Sequence, residues 1–89
     1  MANIRIDKEL GFQTADKFMQ EADNIQGLIN SLNAQMEGLF GTWEGVSRVR
    51  FEGEYSTAKQ SMTQFIELLR QVSQRVRAET QQMVDADNA

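Results

Sequence analysis

The sequence has no cysteine, no histidine and no proline. Without cysteine there is no disulfide to staple a small fold. Cysteine and histidine also supply the ligands of ordinary zinc, haem and iron–sulfur sites, and histidine is the commonest general base. Their joint absence excludes those centres and every Ser–His or Cys–His nucleophile pair. Glu52 and Glu54, or Asp85 and Asp87, are the carboxylate pairs left for a metal. Residues two apart on a helix do not face each other, so these read as solvated surface. No cofactor is expected, and the chain does not read as an enzyme.

Basic charge is also scarce. Nine Lys and Arg stand against thirteen Asp and Glu, a net charge of −4. The first 42 residues sum to −3 and the remainder to −1, so neither half is a basic arm and a nucleic-acid partner is not expected. Arg70, Arg75 and Arg77 make one small basic patch of the kind that forms weak surface pairs. Long apolar runs are missing too, the longest being pairs such as Leu28-Ile29 and Leu68-Leu69. Stable membrane insertion is therefore not expected. The opening Met-Ala-Asn-Ile-Arg-Ile-Asp has no charged start followed by an apolar stretch, so the expectation is a protein without a cleaved leader.

What the chain does have is helical periodicity. Stepping back from Trp43 in threes and fours meets Leu39, Met36, Leu32, Ile29, Ile25, Ala22, Phe18 and Ala15, all apolar. That spacing describes one stripe of one helix. A second series runs Phe51, Tyr55, Ala58, Met62, Phe65, Leu69, Val72 and Val76, and Glu79 interrupts it before Met83. Carried past Trp43, the first register meets Val46, Arg50, Gly53, Thr57 and Gln60, one apolar match in five, so the phase slips there. Gly38, Gly41 and Gly45 cluster at the slip. The pattern predicts an all-α hairpin in residues 1–89, with helix one over about 7–40, a turn at about 41–46 and helix two over about 46–84. Asp7 is the expected N-cap, Ile4 and Ile6 are expected to fold onto the start of helix one, and residues 85–89 form a short acidic tail. Glu79 predicts that the seam opens and the last turns fray.

Two helices bury one seam, whereas these stripes are wider. Met19, Leu28 and Phe40 flank the first, and Ile66 and Leu68 the second. A chain of 89 residues has a marginal core of its own. Two hairpins packed face to face would cover the flanks as an elongated four-helix bundle, so a dimer is expected. Its hairpin and dimer core would comprise Phe18, Ile25, Ile29, Leu32, Met36, Leu39, Phe51, Tyr55, Met62, Phe65, Leu69, Val72 and Val76.

Trp43-Glu44-Gly45 stands at the bend. Trp43 either caps the core, with Gly45 supplying backbone freedom, or stays partly open as an anchor for a partner. These residues resemble the WXG family of early-secreted-antigen-like proteins, substrates of type VII secretion in Gram-positive and mycobacterial cells. A helix of about 35 residues ends in Trp43-x-Gly45, and Phe51 and Tyr55 follow where family members place aromatics. Leu68-Leu69-x-x-Val72-x-x-x-Val76 is similar to the family's second-helix seam. Ile4-Arg5-Ile6 before an acidic helix start resembles the Bacillus- and Staphylococcus-like branch.

The resemblance implies a hairpin that pairs with itself as a homodimer or with a sister WXG protein as a heterodimer. It implies a cytoplasmic stage, then export in the folded state by a membrane-bound secretion ATPase, giving a secreted protein. Trp43 and Gly45 are the implied turn and export-recognition motif. The family's C-terminal Tyr-x-x-x-Asp/Glu motif has no counterpart, because no tyrosine follows Tyr55. Asp85-Ala86-Asp87 resembles the start of the acidic tail of the Firmicute-like branch, which makes Asp85 and Asp87 the candidate tail signal. The competing reading with the same fold is an intracellular helical-hairpin adaptor or chaperone that pairs with an effector or sister protein.

Overall fold

With no proline to interrupt them, the two apolar series form two helices, α1 (Lys8–Phe40) and α2 (Val46–Asp87), in a computed structural model that describes residues 6–88. Asp7 caps α1: its backbone is extended and its Oδ1 accepts the Leu10 N–H at 2.9 Å. Glu9 in the first turn adds a favourable charge at the positive end of the helix. At the other end the Gly41 and Thr42 N–H groups close onto Glu37 and Leu39 carbonyls at 3.1 and 3.0 Å. Gly45 then takes φ of +107°, a left-handed value that side chains resist, and α2 starts directly after it. The hairpin that results is a rod of 66 × 21 × 15 Å.

The seam between the helices is graded along its length. Near the chain ends it is made of small residues: Gly11 and Ala15 on α1 meet Thr80 and Ser73 on α2, all buried, and the buried Ala22 follows them toward Ile66. Ser73 and Thr80 are the largest fully buried side chains in the hairpin. They stay inside because the Ser73 hydroxyl donates to the Ala15 carbonyl at 2.6 Å and the Thr80 hydroxyl to the Val76 carbonyl at 2.7 Å. At mid-length Ile29 and Ile66 are buried, with Ile25, Met62 and Leu69 packed against them. Each of these two isoleucines contributes about 1.5–3 kcal/mol of burial. Few other large aliphatic residues are enclosed, so the single hairpin has a thin core.

Three details depart from the sequence expectation. Ile66, expected as a flank, is core, while Phe65 beside it is 52% exposed. The seam does not open at Glu79: that residue is half-buried, pairs with Arg75 at 2.9 Å, and is followed by the fully buried Thr80. A small threonine, with its hydroxyl satisfied by its own helix, continues the contact where no apolar residue was available. Finally, α2 runs through Asp87, so Asp85 and Asp87 lie in its last turns rather than in a tail. No glycine or proline stops the helix, and Gln81 Nε2 donates to Asp85 Oδ1 one turn on, at 2.9 Å. Ile4 lies outside the described residues.

Candidate functional site

The turn is enclosed by an aromatic cluster that the sequence spacing only partly discloses. Trp43 and Phe51 have ring centroids 5.4 Å apart, and Phe40 sits 6.1–6.2 Å from Trp43, Phe51 and Tyr55. Phe51 and Tyr55, four residues apart on one face of α2, stack at 6.5 Å. Phe40 is thus the hub of the cluster rather than a flank. Such ring pairs add about 0.5–1.5 kcal/mol each beyond their buried area.

Polar atoms fix the rings. The indole Nε1–H of Trp43 donates to Ser47 Oγ at 3.2 Å, and the Tyr55 hydroxyl donates to Asn33 Oδ1. Lys59 Nζ lies 6.0 Å over the Tyr55 ring. Trp43 is half-buried and Gly45 is exposed, so part of the indole stays open to its surroundings at the tip. Tryptophan held in this way keeps a large contact area at little further entropic cost.

The second feature is an apolar face along one side of the rod. Leu28, Leu32 and Leu39 on α1 and Phe65, Leu68 and Val72 on α2 are each 40–59% exposed. Two shallow grooves run through this face. One is lined by Ile25, Leu28, Leu32, Met62 and Phe65 among others, the next by Phe18, Ile25, Phe65 and Leu69 with Lys17 and Glu21 at its rim. The opposite side of the rod carries the charged contacts between helices. Arg70 reaches Asp23 at 2.9 Å and Met19 Sδ at 3.3 Å, and Arg77 pairs with Asp16 and lies 5.8 Å over the Phe12 ring. These pairs are exposed and worth about 0.2–1 kcal/mol each. One side is therefore closed by ions, and the other is open and apolar.

The residues expected to form the core divide between these settings. Ile29 is buried in the hairpin, and Phe18, Ile25, Met36, Phe51, Tyr55, Met62, Leu69 and Val76 are half-buried. Leu32, Leu39, Phe65 and Val72 face outward in the single chain. The structure does not bring Trp43 and Gly45 near Asp85 and Asp87 within one chain: the turn and the end of α2 occupy opposite ends of the rod. Gly11, Ser73 and Thr80 carried no signal in an apolarity count, although their spacing continues the seam by threes, fours and sevens. Asn33 was equally silent, being a polar residue whose partner is 22 positions away.

Comparison with known proteins gives one family and a consistent set of structures. The profile of WXG100, described as proteins of 100 residues with WXG, matches residues 3–88. The crystal structure of wild-type EsxB, a secreted protein of Bacillus anthracis str. Sterne, is 32% identical with a TM-score of 0.87, over 100% of this chain and 96% of that one. A single-residue variant of EsxB is 31% identical with a TM-score of 0.83, over 100% and 98%. Geobacillus thermodenitrificans EsxA is 27% identical with a TM-score of 0.81, over 99% and 95%. No curated protein matches the chain.

Proposed function

The chain belongs to the WXG100 family, and from that membership we infer that it is a small substrate of type VII secretion that acts through protein–protein contacts. The observation that carries this reading is the Trp43-x-Gly45 turn, packed among aromatic rings at the tip of a full-length helical hairpin. The neighbouring structures are of proteins described as secreted, which supports export of this one. The proposal extends to a cytoplasmic stage, passage without a cleaved leader, and engagement of the system's secretion ATPase. The work is done by surfaces, not by catalysis.

The exposed apolar face supports a second copy of the chain as partner. Its pattern is symmetric about its own midpoint. Phe18 and Leu32 each lie seven residues from Ile25, and Ala58 and Val72 each lie seven from Phe65. Ile25 and Phe65 line the same two grooves, so the midpoints of both helices coincide. A two-fold axis at that point sets Phe18 on Leu32 of the second copy and turns the two hairpins antiparallel, an isologous arrangement. It also brings each Trp43–Gly45 tip beside the Asp85 and Asp87 turns of the second copy. In this proposal that composite end is what the export machinery reads.

Secretion of Trp43→Ala from a cell carrying the transport system tests the reading. Loss of the protein from the culture supernatant, with the purified variant still dimeric, is the expected result. Normal secretion, or loss only because the dimer falls apart, assigns Trp43 to the core alone. A wild-type chain that stays in the cytosol favours the intracellular adaptor.

A further inference from the structure

We propose that Ile6 and Asp7, immediately ahead of α1, form a strap that keeps the last turns of α2 folded, so that the two ends of the chain open and close together. The end of α2 has little stability of its own. Its last turn holds Asp85 and Asp87 with no basic residue, the wrong sign for the negative end of a helix, and Asn88 closes it without a side-chain or glycine cap. Among the described residues, no hydrogen bond or ion pair ties a residue beyond Met83 to α1. Thr80 is buried, Met83 and Val84 are half-buried, and the contacts from Thr80 and Met83 are the ones that reach the start of α1.

The strap meets α2 at both positions. The Ile6 N–H donates to Met83 Sδ at 3.1 Å, across 77 residues of sequence. The side chain of Ile6 lies over Gly11, where its Cγ2 is 3.1 Å from the point a Cβ would occupy. The same point is 2.2 Å from Thr80 Oγ1 and 2.8 Å from Thr80 Cγ2, so only glycine at position 11 lets α2 come this close. Asp7 sets the strap's direction: its side chain takes the Leu10 N–H and its carbonyl takes the Gly11 N–H at 2.7 Å. A capped helix start, a glycine notch, a buried threonine and a thioether acceptor thus form one cluster around two residues of strap. Released, the strap would uncover Thr80 and free the turns that carry Asp85 and Asp87. The significance of that release for export rests on the function proposed above, whereas the strap itself does not.

Hydrogen exchange on the purified full-length chain, read by mass spectrometry peptide by peptide, isolates the effect. Ile6→Asp should accelerate exchange of amides 79–88 by about tenfold, the factor expected for losing one half-buried aliphatic contact. Amides around Ile29 and Ile66 should keep their wild-type rates. Unchanged exchange at 79–88 would overturn the strap, and so would an equal acceleration along both helices, because Ile6 would then support the whole hairpin. Should Ile6→Asp fail to fold, Ile6→Ala is judged by the same comparison. Both readouts are independent of secretion, so a failure of the export reading leaves them intact.

Discussion

Phe65→Asp separates the fold of the hairpin from its association. Phe65 is 52% exposed in the single chain and lies at the midpoint of the apolar face, against Ile25 and Leu69. Full burial of a phenylalanine contributes about 1.5–3 kcal/mol, so covering the exposed half contributes roughly 1 kcal/mol. A two-fold dimer contains two copies of the change, and both fall beside the axis. The loss of apolar contact therefore amounts to about 2 kcal/mol, before two unpaired carboxylates are enclosed close together. An enclosed, unpartnered charge costs about 3 kcal/mol or more. Even a partial charge of that kind brings the sum to at least about 4 kcal/mol, close to a thousandfold in the dissociation constant. Sedimentation equilibrium measures that constant directly. Melting curves at several concentrations give a second view, since the melting temperature of an associating protein depends on concentration. Wild type should show a concentration-dependent transition and the variant a lower, concentration-independent one. Equal dissociation constants for both proteins would refute the assignment of this face.

Ile29→Asp, on α1, attacks the seam between the two helices instead of the outer face. Ile29 is 5% exposed and packs on Ile66, so the carboxylate is trapped inside the hairpin itself. The cost of about 3 kcal/mol or more is a large share of what a chain this size has, and helicity by circular dichroism should fall at every concentration. Ile25→Cys uses the absence of native cysteine: on the proposed axis it should give a disulfide-linked dimer on mild oxidation. Phe18→Cys alone should not, while Phe18→Cys mixed with Leu32→Cys should. Asp85→Asn with Asp87→Asn should reduce export more than either change alone while leaving the dimer's mass unaltered.

The hairpin was legible in the sequence because glycine clusters where the apolar register slips, and both signals point to the same few residues. Asp7 as N-cap was legible for the same kind of local reason. Which face of α2 meets α1 was not. Counting apolar residues selects Phe65 and Val72, the large ones, whereas the hairpin closes on Ser73 and Thr80. Close approach of two helices rewards small side chains, and a hydroxyl that donates to a carbonyl of its own or the neighbouring helix is no obstacle to burial. The large residues lie on the outer face, where the proposed second copy would cover them. At the tip, Trp43, Phe51 and Tyr55 were singled out by spacing, but Phe40 was placed among the flanking residues. Its role depends on the turn folding it back between rings that are distant in sequence.

The chain's one tryptophan and one tyrosine, Trp43 and Tyr55, both belong to the cluster around Phe40. Intrinsic fluorescence and the tryptophan and tyrosine bands of the near ultraviolet therefore come from the turn end of each chain's 66 Å rod. Far-ultraviolet circular dichroism averages over both helices from end to end. The two spectroscopies sample different parts of one molecule, and an unfolding curve followed at the indole is a curve for the tip. If the tip melts with the helices the curves superimpose, and if the rings part first the fluorescence transition comes earlier. In the proposed antiparallel dimer each end of the bundle carries one Trp43, so a partner that seats on either end will shift the emission, while one that seats at mid-length will leave the spectrum as it is.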